Sequence, residues 1–281
     1  MIHSSYSDPV PAITEQGATG VVAEIFADIR GTLDVEVVNL IWRHLATMPG
    51  ALEWVWGSLK PLYQGPAIGP AEQIRTSLPL PSVPAISRDT LLAAGIGASA
   101  LSEIRGVLDS YQHTNALALV CFSAFIARYA PDRTAPETTA SAGDRDVSYA
   151  RPDRVALPRL IAIAEMPPAL ARLVQELNGF GEDTDSDLVA SMYRHLAHWP
   201  VFLSLVRTLL VPLHQSGELT SVVAATRKIG EALGARMARE IVTTEPPLPA
   251  EPIFQAVRRF VRHPIARMTG VCAIISRATT D

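Results

Sequence analysis

The stretch Asp185-Ser-Asp-Leu-Val-Ala-Ser-Met-Tyr-Arg-His-Leu-Ala-His-Trp-Pro200 decides the fold, because the chain states it twice. Its earlier form is Asp34-Val-Glu-Val-Val-Asn-Leu-Ile-Trp-Arg-His-Leu-Ala-Thr-Met-Pro49. The match continues without a gap. Leu52, Val55, Leu59, Pro61-Leu62 and Gln64 return as Leu203, Val206, Leu210, Pro212-Leu213 and Gln215. About half of the aligned positions from Arg43 to Gln64 are identical. A chain built from two tandem copies is expected to have a pseudo-two-fold axis, and a crevice between the copies is a common place for a ligand.

Apolar periodicity around this repeat predicts helices throughout. One starts at Gly20 and stops at Gly31, a second covers Glu36–Met48, and a third covers Ala51–Tyr63, where Pro61 should kink or shorten it. Residues 78–86 read as a proline-rich connector, and Ser87 as the cap of a short helix through Leu92. Residues 98–129 carry a long apolar helical pattern with a polar break, Tyr111-Gln-His-Thr-Asn115. Polar groups in so apolar a segment must find partners or line a cavity. Further helical patterns fit 159–164, 167–178, 187–198, 201–214, 219–241 and 251–276, the last broken near Pro264. No segment alternates with the period of a strand. The expected fold is all-α: a first helical repeat at 18–130, a linker rich in Pro, Asp, Arg, Ser and Thr at 131–158, and a second repeat at 159–278, packed face to face.

Composition narrows the function. The chain has 281 residues, 48% hydrophobic and 19% charged, with a net charge of -4, so nothing argues for nucleic acid as a partner. No uncharged apolar run approaches the ~20 residues that a membrane span needs. The N-terminus lacks the basic and apolar regions of a secretion signal. Cys121 and Cys272 sit in apolar runs and read as buried thiols, which suits the cytoplasm. There is no phosphate-binding glycine loop, no Cys-x-x-Cys, no His-Glu-x-x-His and no Gly-x-Ser-x-Gly, so neither a metal nor a cofactor is expected.

The repeated Arg-His-Leu-Ala segments look catalytic, but a residue needed at the same place in both copies serves the fold more readily than the chemistry. Arg43 and Arg194 suit bonds to carbonyls or acids between helices, and His44 and His195 suit local pairing. The informative positions are those where the copies differ. Asp34-Val35-Glu36 in the first copy becomes Asp185-Ser186-Asp187 in the second. Asp185 or Ser186 could simply cap a helix, with Asp187 near its positive end. Asn115 faces Pro264 in the pairing that sets Tyr111 opposite Phe260. It could be a buried asparagine satisfying a backbone kink, with a similar role for His113-Thr114.

With these residues in view, the chain resembles the group I 2-haloacid dehalogenases, an all-helical family of two pseudo-repeats. The resemblance runs from about Gly20 to Ala278 and is most specific at Val38–Ala46, at Tyr111 to Asn115, and at Ser186-Asp187 leading into Tyr193–Pro200. Each repeat is more distantly similar to the alkylhydroperoxidase D-like unit, whose Cys-x-x-Cys redox motif is missing here. The resemblance implies that Asp187 activates a water for direct attack on the halogen-bearing C2 and that Asn115 holds water or substrate. It further implies Ser186 beside the substrate, and Ala118, Phe260, Pro264 and Met268 as pocket walls. Val189-Ala190 stands where the family pattern leads one to expect Val-Pro, and Ala118 where it suggests an aromatic. The implied partner is a small halogenated carboxylate, turned over to halide and a 2-hydroxy acid. The alternatives are a non-dehalogenating relative that binds a small apolar carboxylate, and a helical scaffold for a protein partner. The scaffold predicts a filled centre and a large exposed apolar patch. Homodimerisation is compatible with each.

Overall fold

A computed structural model describes residues 10–129, 156–182, 188–242 and 244–279, and among them it contains helices and no strand. The N-terminal part supplies α1 (Gly20–Leu33), α2 (Leu40–Leu45), α3 (Ala51–Tyr63) and α4 (Ile68–Ser77). After the proline-rich connector come α5 (Arg88–Ala93) and the 32-residue α6 (Ala98–Tyr129). The C-terminal part supplies α7 (Pro168–Gly179), α8 (Ser191–Leu196), α9 (Pro200–Gln215) and α10 (Glu218–Met237). It closes with α11 (Glu251–Phe260), a π-helical turn at Val261–Ile265, and α12 (Ala266–Thr279). Ser87 caps α5 as its hydroxyl accepts from the Thr90 amide at 3.1 Å. Residues 131–155 of the expected linker lie outside the described residues.

Several boundaries differ from expectation, each for a physical reason. α1 runs through Gly31 and ends at Asp34, whose left-handed backbone (φ 56°) closes it. α3 keeps its expected limits but is not shortened at Pro61, and α9 runs past Pro212 as expected. Both prolines are on the solvent face, where water can take up the freed carbonyl. α2 and α8 are only six residues long. Residues 35–39 and 188–190 ahead of them are not helical, and neither are 159–162. Near Pro264, where a break is expected, the chain widens into the π turn instead.

The core forms two clusters, and each draws on both halves of the chain. The first joins α1–α4 to the C-terminal half of α6 and to Ile253, Val257 and Phe260 of α11. The second joins α7–α9 to α12 and to Leu101, Ile104 and Leu108 from the N-terminal half of α6. The exchange is reciprocal: the front of α6 packs with the C-terminal helices, and α11 packs with the N-terminal ones. α6 packs closely against α10 because α10 carries glycines at the crossing. A Cβ at Gly234 would lie 2.6 Å from the Ala124 backbone nitrogen, and one at Gly230 would lie 2.4 Å from Leu119.

Candidate functional site

A cavity of about 470 Å³ opens where the two segments of similar sequence, around α2 and α8, meet. Val35–Arg43 and Leu188–Arg194 contribute from the chain around α2 and α8. Ser110–Asn115 contributes from the middle of α6, and Phe260–Met268 from the π turn and its flanks. The N-terminal segment 14–16 and residues 157–162 complete the lining. The walls are mixed: aliphatic side chains such as Val38, Leu188 and Ile265 alternate with Asn115 and with the charged Glu15, Arg43, Arg159 and Arg194.

The polar break in α6 resolves almost completely into partners. Tyr111 Oη and His195 Nδ1 share a hydrogen bond of 2.9 Å. The Thr114 hydroxyl donates to Ser110 O at 2.9 Å, and His113 Nε2 lies 3.3 Å from Leu33 O. Gln112 Nε2 reaches Cys272 O at 3.5 Å. Asn115 is the exception. It is buried, it lines the cavity, and its Nδ2 has no hydrogen-bond partner among the described residues. An unsatisfied buried amide costs stability, and the natural explanation is a ligand or water that accepts from it.

The repeated motif does structural work in both copies, as the sequence leads one to expect. Arg194 Nε donates to Ile161 O at 2.9 Å. His44 Nδ1 lies 2.7 Å from Pro11 O and stacks on Phe260 at 5.6 Å, while His195 meets the matching Tyr111 at 5.7 Å. His195 is fully buried, and burial followed by the nearby Arg194 and His198 charges lowers its pKa to about 4. It is therefore neutral at neutral pH. Burial holds the Tyr111 phenol above its ordinary value, so it remains protonated. Arg43 and Arg194 nevertheless also line the cavity, which the sequence did not suggest for them. Their recurrence at one spacing was the available signal, and it pointed to the fold.

Of the residues singled out from the sequence, Asn115, Phe260, Pro264 and Met268 all line this cavity. Ala118, one turn beyond Asn115, is buried in the first core cluster and is not among the lining residues. Ser186 and Asp187 lie outside the described residues, and the chain resumes at Leu188 on the cavity wall. Among the described residues, no group of His, Cys, Asp and Glu is placed to hold a metal ion, and no helix is long and apolar enough to cross a membrane. The filled centre that a pure scaffold requires is absent, and the most exposed large apolar side chains (Val21, Leu92, Val201, Val242 and Leu248) are scattered along the chain.

The chain is similar to known dehalogenases at two levels. Over 112 residues it is 31% identical to an (R)-2-haloacid dehalogenase of Pseudomonas putida, a match spanning 37% of this chain and 37% of that relative's length. The fold matches a solved D-2-haloacid dehalogenase mutant in complex with D-2-CPA, with TM-score 0.67, 17% identity and 96% and 94% of the two chains covered. A D-2-haloacid dehalogenase complex with L-LA matches with TM-score 0.67, 17% identity and 99% of each chain covered. No protein-family model matches the chain. At such identity the structural likeness establishes the all-helical fold.

Proposed function

We propose that the protein is a cofactor-independent hydrolytic dehalogenase of short 2-haloalkanoic acids. The observation that carries this reading is the Nδ2 of Asn115, without a partner among the described residues, in a cavity of about 470 Å³. The partial sequence match to an (R)-2-haloacid dehalogenase and the shared fold support it.

In this reading Asp187 is the general base and Ser186 lies beside the substrate. Asp187 takes a proton from a bound water as the water oxygen bonds to C2. The carbon–halogen bond breaks on the opposite side, and the halide leaves with its electron pair. The products are a 2-hydroxy acid of inverted configuration and a halide ion. An apolar surround strengthens a carboxylate as a base, whereas a nearby arginine weakens it, and the cavity lining offers both. Asn115 Nδ2 supplies a donor to the water or to the substrate, and Phe260, Pro264 and Met268 shape the apolar side. We assign the chain to two helical repeats, 18–130 and 159–278, joined by 131–158 and related by a pseudo-two-fold axis through the cavity. The two free, buried cysteines suit a reducing compartment such as the cytoplasm, and a homodimer is compatible with the reading.

The test is chloride release from D- and L-2-chloropropionate, followed with a halide electrode. Chloride and lactate should form in equal amounts. In labelled water a single turnover should place solvent oxygen in the product. No release from either enantiomer by folded protein removes the proposal and leaves a non-dehalogenating binder of small carboxylates.

A further inference from the structure

The chain on either side of residues 183–187 is tied down by a buried polar cluster that the proposed chemistry does not itself use. Asn178, in the last turn of α7, is 4% exposed. Its Nδ2 donates to Leu188 O at 3.0 Å, and its Oδ1 accepts from the Ala190 amide at 2.9 Å. The same oxygen accepts from Arg267 Nη2 at 3.0 Å. Arg267 is 1% exposed, and its Nη1 pairs with Glu182 Oε2 at 3.1 Å. Glu182 Oε1 lies 3.4 Å from His263 Nδ1. One guanidinium on α12 thus meets Glu182 as an ion pair, without a hydrogen bond to either Glu182 oxygen or from its own Nε among the described residues, and reaches Leu188–Ala190 through Asn178.

The cluster adjoins the cavity on two sides. Leu188, Val189 and Ala190 form part of its wall, and Pro264, Ile265 and Met268 form another part beside Arg267. The cluster also belongs to the second copy only. The pairing that sets Pro264 opposite Asn115 sets Arg267 opposite Ala118, a small residue in the apolar core. The first copy fixes its matching segment differently, through the Glu15 carboxylate, which accepts from the Val38 amide at 2.8 Å and pairs with Arg30. That pair is about a third exposed on the arginine side, at 32% against 1% for Arg267. Burying a guanidinium is costly unless it is paired and its donors are used. Here the buried charge secures a fixed position for the Leu188–Ala190 backbone.

We propose that Asn178, oriented by Arg267, is a positioning residue that sets the Leu188–Ala190 wall of the cavity for the reaction. This rests on the dehalogenase reading of the same cavity. Three variants test it in the full chain. Asn178→Leu removes all three hydrogen bonds. Asn178→Asp keeps the two acceptor contacts and loses the bond to Leu188. Arg267→Lys keeps a charge beside Glu182 but cannot grip Glu182 and Asn178 together.

Two readouts are taken on each variant: hydrogen exchange at the Ala190 amide, and kcat and KM for chloride release per folded molecule. In Asn178→Leu, Ala190 exchange should accelerate roughly tenfold, as loss of a buried hydrogen bond permits local opening. A wall displaced by about 1 Å should lower kcat by about 10²-fold while KM stays within roughly twofold. Asn178→Asp and Arg267→Lys should fall between wild type and Asn178→Leu on both readouts, which also covers the case in which Asn178→Leu fails to fold. Unchanged exchange at Ala190, or faster exchange with wild-type kcat, overturns the proposal. If wild type releases no halide from either enantiomer, the reaction is wrong, and the clamp then stands or falls on Ala190 exchange alone.

Discussion

Asn115 and Pro264 occupy matching places in the two copies and face the same cavity. Around Asn115, α6 stays α-helical, and the side chain offers an amide donor without a partner among the described residues. Around Pro264 the helix widens into a π turn, and Phe260, Pro264, Ile265 and Met268 line the cavity there with apolar surface. The same contrast separates Tyr111, bonded to His195, from Phe260, stacked on His44. If the two segments are copies, as the sequence similarity suggests, then the cavity has two related sides of which the Asn115 side carries the amide donor. Such asymmetry suits displacement at a saturated carbon, in which the nucleophile and the leaving group sit on opposite faces and need different surroundings.

The contrast breaks first at the proposed base. Asp187→Asn should lower halide release by about 10³-fold, the scale of general-base catalysis. The matching change in the first copy, Glu36→Gln, lies on an exposed residue outside the cavity lining and should leave turnover at the wild-type level. Steady-state kinetics on the pair decides it. Equal losses would mean that the two copies share the chemistry.

The second difference concerns the buried histidine. The folded pKa of His195, about 4, lies below its ordinary value of 6.5. Between those values the unfolded chain binds a proton that the folded chain refuses. Stability from this group is therefore fully present above pH 6.5 and is lost as pH falls towards 4. Its full size is about 3 kcal/mol. Urea titrations at pH 7.5 and pH 4.5 should show a smaller acid loss in His195→Asn than in wild type. An identical loss in both would remove His195 from the acid response.

The third difference is in how the copies cover α6. The first copy uses the ten-residue α4, and the second uses the twenty-residue α10 with glycines at the crossing. Gly234→Ala should cost about 1–3 kcal/mol in thermal or urea unfolding, because the new methyl meets α6 backbone rather than a yielding side chain. A neutral result would mean that the two helices can move apart freely.

Much of the fold was legible from local chemistry. The limits of α3 and α6 and the Ser87 cap follow from periodicity and from one hydroxyl acceptor. The misreadings gather around the cavity. Glu36-Val-Val-Asn39 has apolar spacing suited to a helix, yet tertiary bonds override it: Val38 N–H goes to Glu15 rather than to a helical carbonyl. In the second copy Leu188–Ala190 is held off the helix by Asn178. A cavity wall needs backbone that local preference does not supply, and distant residues must hold it there. Asn115 was legible as a position where the copies differ. The cavity-facing place of Arg43 and Arg194 was not, because a repeated residue carries no mark of which side it faces.

The central claim is that the unshared donor serves the reaction rather than the fold. Chloride release from 2-chloropropionate by wild type and Asn115→Leu, at equal folded concentration, tests it most directly. Wild type should turn the substrate over, and the variant should lose about 10²-fold, the scale for one preorganised donor. Because the leucine removes an unsatisfied buried amide, the variant's Tm should not fall. A variant that turns over like wild type, or one that loses activity only in proportion to lost folding, would contradict it.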